Sequence, residues 1–180
     1  VYAYTTNTCY NSHLGYWSGN TSMTGANNHA VGYQALLSNT TGVDNIAVGY
    51  QALIVNTTGS DNVALGNQAL YCNVSGTNNV GIGYNALRCN CTGTNNVAIG
   101  YAALYTNTGS DNIAIGCKAL FCNTYGCSNI GLGNAALCNN ISGCYNLGVG
   151  YGALKFNSGG SNNTAFGFCA LKSNTTGCYN

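Results

Sequence analysis

Few groups in this sequence can do acid–base, nucleophilic or metal chemistry, and their spacing decides what they are for. The 180 residues hold three acids (Asp44, Asp61 and Asp111), two histidines (His13 and His29) and eleven cysteines. A carboxylate pair acting as general acid and base needs one member in an apolar pocket, so that the two pKa values separate. Asp44 and Asp61 each precede an asparagine in Thr-, Ser- and Gly-rich segments that read as exposed turns, and Asp111 is distant from both. No nucleophile has a histidine and an acid in a triad relationship. Cys89-Asn90-Cys91 lacks a second cysteine pair at ligand spacing, and neither histidine is near it, so no zinc site is expected. The expectation is a non-catalytic chain with no cofactor and no metal.

Cysteine pairing is the chemistry that remains. Cys72 and Cys89 are 17 residues apart, as are Cys127 and Cys144, while Cys122 and Cys138 are 16 apart. Eleven cysteines with 4% charged residues suit an oxidising compartment, and an odd count leaves at least one thiol free or bonded between chains. Acceptor sequons for N-glycosylation stand at Asn20, Asn39, Asn56, Asn73, Asn90, Asn140, Asn162 and Asn174. Six of these share one turn position and would form a glycan stripe on a secretory route; the same residue types also favour plain turns.

Those spacings belong to a repeat. Gly15, Gly32, Gly49, Gly66, Gly83 and Gly100 follow one another at 17 residues, Gly116 comes after 16, and Gly133, Gly150 and Gly167 return to 17. Each stands four residues after an asparagine, from Asn11 to Asn163, and Asn180 opens a further unit. A second glycine ladder runs from Gly25 and Gly42 to Gly177. The unit reads N-[IV]-[AG]-[VIL]-G-Y-x-A-L-x-x-N-T-T-G-x-x, and the short unit loses its residue in the turn Asn107-Thr108-Gly109.

Helix pairs and propeller blades need about 33–45 residues, so this unit suits one coil of a β-solenoid. Asn45-Ile46-Ala47-Val48-Gly49-Tyr50 alternates with period 2 and reads as a strand, Ala52-Leu53-Ile54-Val55 as a second, and Asn56-Thr57-Thr58-Gly59-Ser60-Asp61 as a turn. No Asn-Gly or Asp-Gly dipeptide occurs, which favours parallel stacking over hairpins. The predicted fold is all-β, a parallel β-solenoid or β-roll of about ten 17-residue coils over residues 11–180, preceded by a partial coil or cap at 1–10. With no initiator Met and consensus repeats to the end, the chain reads as a processed chain or a segment of a longer fibre.

Stacking aligns equivalent residues. Val31, Val48, Leu65 and their equivalents to Phe166 are expected to form an inward apolar column, and Leu36, Leu53 and their equivalents to Leu171 another. The asparagines would form an amide ladder, and Tyr16, Tyr33 and Tyr50, then Tyr84 and Tyr101, would stack ring on ring. Stacked Cα atoms lie about 4.8 Å apart, within the roughly 4.4–6.8 Å that a disulfide spans. This favours Cys72–Cys89 and Cys127–Cys144, with Cys122 and Cys138 a weaker pair in adjacent columns. The residues alternating with the Val/Ile/Leu column are tiny: Ala47, Ala64, Gly81, Ala98, Ala114, Gly131, Gly148 and Ala165. Such a strip can pack inside a narrow coil or against a neighbouring chain; the second is the expectation.

The units Asn45-Ile46-Ala47-Val48-Gly49-Tyr50-Gln51-Ala52-Leu53 and Asn56-Thr57-Thr58-Gly59 resemble the NTAVGYQAL and NTTG repeats of tail-fibre-like proteins of phages, bacteria and large DNA viruses. The resemblance covers residues 11–180. More distantly, the N-x-A-x-G core is similar to the shorter repeats of trimeric autotransporter adhesin heads. That resemblance implies parallel β-rolls in homotrimers.

A net charge of +1 supplies no basic patch for nucleic acid, and no apolar run is long enough to span a membrane. The functional expectation is a structural shaft of an extracellular fibre, filament or adhesin, at a virion or cell surface. Its partner is itself, with three parallel chains implied by the adhesin heads and end-to-end stacking as the other form. The alternative is a ligand-binding solenoid, taking surface glycans on the Tyr column or binding ice.

Overall fold

The computed structural model describes residues 10–180. The expected cap at 1–10 therefore lies almost wholly outside the described residues. Among the described residues there are twelve strands: β1 (Ser12–Leu14), β2 (His29–Val31), β3 (Ile46–Val48), β4 (Val63–Leu65), β5 (Val80–Ile82), β6 (Cys89–Asn90), β7 (Val97–Ile99), β8 (Thr106–Asn107), β9 (Ile113–Ile115), β10 (Ile130–Leu132), β11 (Leu147–Val149) and β12 (Thr164–Phe166). Ten of them stack as one parallel sheet, one strand per coil, and β6 pairs with β8 on the opposite wall. The register is one repeat, as in Ile46↔Val63 and Ala47↔Ala64. At the shortened unit it tightens by one residue, to Val97↔Ile113. The chain is the predicted β-solenoid, and among the described residues there is no helix.

Which side of the strand faces inward is the reverse of the expectation. Ala30, Ala47, Ala64, Ala98 and Ala114 are completely buried, whereas Val31, Val48, Ile99 and Ile115 are 36–42% exposed. The width of the coil explains it. The fully buried Leu column from Leu36 to Leu154 fills the interior from the other wall. A methyl added at Gly81 would meet Leu70 Cγ at 3.3 Å and the Ala86 carbonyl at 3.2 Å, and one at Gly131 would meet Leu120 in the same way. Opposite a leucine there is room for Ala or Gly and nothing larger. The strip from Ala47 to Ala165, expected between chains, is thus corrected to the interior of one chain. The large β-branched column is corrected to the outside.

The second wall also differs. Among the described residues, only Cys89–Asn90 and Thr106–Asn107 pair as strands there. Elsewhere in that wall the backbone alternates in hand: Gln51 (φ 54°) and Leu53 (φ 51°) are both left-handed. Backbone bonding between coils survives, with Gln51 N–H donating to Tyr33 O (2.8 Å) and Leu53 N–H to Ala69 O (3.1 Å).

Two interior amide ladders join the walls. Asn45 Nδ2 donates to Asn28 Oδ1 at 3.0 Å and to Gly59 O at 2.8 Å. Asn56 Nδ2 donates to Asn39 Oδ1 at 2.8 Å and to the same Gly59 O at 2.9 Å. Each amide reaches back to the preceding coil. Both ladders continue across the shortened unit, where Asn107 Nδ2 donates to Gly109 O at 2.8 Å. The two glycine columns follow from this crowding. A Cβ at Gly59 would strike Asn56 Oδ1 and the Gly76 carbonyl, and one at Gly49 (φ 139°) would strike the Gly66 carbonyl.

Candidate functional site

The candidate catalytic groups are not brought together. Asp44 and Asp61 sit at left-handed turn positions and are exposed, and exposed Asp111 accepts a hydrogen bond from Asn95 Nδ2 at 3.0 Å. Among the described residues no three His, Cys, Asp or Glu side chains cluster at metal-binding distance. His13 replaces the interior alanine in the first coil, and its ring occupies the space left by Gly19, which replaces the column's leucine. Its Nδ1 has no hydrogen-bond partner, and burial, followed by the neighbouring His29, holds its pKa below the usual 6.5. His29 Nδ1 instead shares a 2.6 Å hydrogen bond with the Ser12 hydroxyl.

The sequons divide. Asn39, Asn56, Asn73, Asn90 and Asn140 are fully buried ladder members whose amide nitrogens donate inside the coil. They are corrected from surface acceptors to core. Glycan transfer needs an exposed amide nitrogen, and only Asn20, Asn162 and Asn174 of the eight are exposed or half-exposed.

Ring stacking follows the columns. Tyr16–Tyr33 and Tyr33–Tyr50 stack with centroids 6.0 and 5.3 Å apart, and Tyr84–Tyr101 with centroids 5.6 Å apart, all within 7° of parallel. Beside them Gln51 and Gln68 form a short amide ladder onto Gln34, with Nε2 to Oε1 distances of 2.9 and 3.0 Å. The Arg88 guanidinium ends that row by donating to Gln68 Oε1 at 3.3 Å, and it lies 4.9 Å from the Tyr71 ring centroid.

The ten described cysteines are free thiols. Cys127 and Cys144 approach most closely, at 2.7 Å between sulfurs. Burial, followed by the neighbouring Cys89, pushes the Cys72 thiol up, and Arg88 Nη1 lies 3.9 Å from Cys89 Sγ. Burial pushes the Cys122 and Cys138 thiols up.

The largest unpartnered feature is the outer face of the sheet. Two columns cover it: Ile46, Val63, Val80, Val97, Ile113, Ile130 and Leu147 in one, and Val48, Leu65, Ile82, Ile99, Ile115, Leu132 and Val149 in the other. From β3 to β11 neither column contains a polar residue. The seven sheet strands from β3 to β11 span six steps of about 4.8 Å, so this apolar stretch is ~29 Å tall, and at about 10 Å for a three-residue strand it presents roughly 300 Å² before side-chain relief. The largest apolar patch on a typical monomer is about 300–600 Å² and is often functional, and this stretch is of that order. The β-branched residues of both columns are legible in the sequence, but their outward direction is not. Comparison with protein-family models, with curated proteins and with solved structures finds no match.

Proposed function

We propose that this chain is a structural shaft element of an extracellular fibre or adhesin, non-catalytic, whose partner is a second copy of itself seated on the outer face of the sheet. The observation that carries the reading is the uninterrupted apolar face from Ile46 to Val149. A stable interface removes about 800 Å² per partner, and this apolar stretch would form the centre of such an interface with the flanking, more polar residues as its rim. Water in contact with a face this size costs free energy at roughly 25 cal/mol per Å², so burying it against a matching face is favourable. The in-register stack has the geometry of a spacer, since each added coil lengthens the rod by about 4.8 Å without altering its cross-section. The cysteine content supports an oxidising, extracellular or surface location.

Ligand-binding readings draw less support. Aromatic recognition of sugars uses ring faces, and here the tyrosine faces are stacked on one another. Ice binding needs a flat array of free hydroxyls. The turn threonines direct theirs to the next coil's backbone instead, Thr40 Oγ1 to Thr57 O at 2.9 Å and Thr108 Oγ1 to Thr124 O at 2.6 Å.

Negative-stain electron microscopy of the purified chain tests the proposal. Rods associated along their lengths, or filaments built from them, support it. A uniform field of single, unassociated rods at micromolar concentration overturns it.

A further inference from the structure

One column of side chains on the turn ridge links each coil to the next. Val43 N–H donates to Ser60 Oγ at 3.0 Å, Thr94 N–H to Ser110 Oγ at 3.1 Å and Cys144 N–H to Ser161 Oγ at 3.0 Å. Sulfur takes the same part in two places: Cys127 N–H donates to Cys144 Sγ at 3.1 Å and Ser161 N–H to Cys178 Sγ at 3.3 Å. Within this column two cysteines are successive at Cys127 and Cys144, and their sulfurs stand 2.7 Å apart.

That separation is well inside the roughly 3.5–4.0 Å of ordinary non-bonded contact and close to the about 2.05 Å of a disulfide. It does not suit a shared metal. Two thiolates on one tetrahedral zinc, with bonds of about 2.3 Å, hold their sulfurs roughly 3.7 Å apart. No third ligand joins them among the described residues. Both thiols are half-buried on the turn ridge, beside exposed Tyr145, where a small reagent can reach them.

We propose that Cys127 and Cys144 are a disulfide site that staples two successive coils, formed by exchange with a small-molecule disulfide of the glutathione class. Cys127 Sγ donates its hydrogen to Cys144 Sγ, which leaves Cys144 as the attacking sulfur. The Cys144 thiolate attacks one sulfur of the reagent; the S–S bond breaks, and the other half leaves as a thiolate and takes a proton. Cys127 then loses its proton and attacks the Cys144 sulfur of the mixed disulfide, expelling the second small thiol. Two protein thiols are oxidised and one reagent disulfide is reduced to two thiols. The hydrogen bond to Cys144 pushes the Cys127 thiol up to about 11, which delays its deprotonation to the second step. This staple is independent of the assembly reading, because it lies on the turn ridge and not on the apolar face.

The test is equilibration with oxidised glutathione, alkylation of the remaining thiols with iodoacetamide, and chymotryptic mapping without reduction. Cleavage after Tyr125, Leu132, Leu137 and Tyr145 separates Cys127 from Cys144. A 127–144 link is expected in the unmodified protein and in C138S, and is expected to be lost in C144S. Serine already fills this column at Ser60, Ser110 and Ser161, so C144S keeps the backbone hydrogen bond and should melt like the reduced unmodified protein. Oxidation should raise the melting midpoint of the unmodified protein by about 5–10 °C more than that of C144S, from the loop-closure effect. Alkylation of both Cys127 and Cys144 after equilibration overturns the site. Equal melting of the oxidised and reduced unmodified protein overturns the stapling role.

Discussion

Ala98 and Ile99 are chain neighbours on opposite sides of one wall: Ala98 is wholly buried and Ile99 is 36% exposed. The same alternation holds in every coil from β3 to β11, so a single-residue step separates the core from the proposed interface. A98E places a carboxylate in an interior with room for a methyl only. It should cost more than about 4 kcal/mol or abolish folding, in isolated and assembled chains alike. Urea denaturation followed by far-UV circular dichroism measures it, and near-native stability of A98E would refute the inward orientation.

The amide ladders need a side chain that both donates and accepts. Asn62 Nδ2 donates to Asn45 Oδ1 at 3.0 Å and Gly76 O at 2.9 Å, while its Oδ1 accepts from the Asn79 backbone and side chain at 3.0 and 3.1 Å. N62D keeps the shape and the acceptor but turns two donated bonds into oxygen–oxygen contacts. About 3–5 kcal/mol of destabilisation is expected, against about 2–4 kcal/mol for N62A, which leaves the Asn79 N–H unpaired. Equal midpoints for N62D and the unmodified chain would show that the ladder donors are dispensable.

Register and columns are legible because the spacing of Asn, Gly and Leu is the coil itself, and parallel pairing at one repeat follows directly. The inward side of β3 to β11 is not legible, because a period of two marks two faces without saying which is inside. The usual rule, large apolar residue inward, fails where a leucine from the far wall already fills the coil, as Leu70 does behind Gly81. The sequon asparagines mislead for a related reason. Asn56-Thr57-Thr58 reads as a surface turn, yet the turn folds its asparagine inward to reach Gly59 O. The left-handed residues Gln51 and Leu53 leave no trace in composition, since neither type favours that conformation.

Acidification should loosen the first coil before the rest. His13 is held below its ordinary pKa of 6.5 when folded, so the unfolded chain takes up a proton first as pH falls. Its contribution is complete above about pH 6.5 and is lost progressively below it, toward the depressed folded value. The protection factor of Ser12 N–H, which donates to Asn28 O at 2.9 Å, should fall between pH 7 and pH 5, while that of Ile113 N–H, bonded to Asn129 O at 2.8 Å, should hold. The difference should vanish in the double variant H13A/G19L, which restores the column residues. Persistence of the difference there would assign it to another group.

Sedimentation velocity of the unmodified chain beside the double variant I99K/I115K tests the proposed assembly most directly. Both replaced side chains are on the outer face, so the variant should keep its circular dichroism spectrum. At micromolar concentration the unmodified chain should sediment as a multiple of 18.5 kDa, and the variant as a single chain. An unmodified chain that sediments as a folded 18.5 kDa monomer would contradict the account.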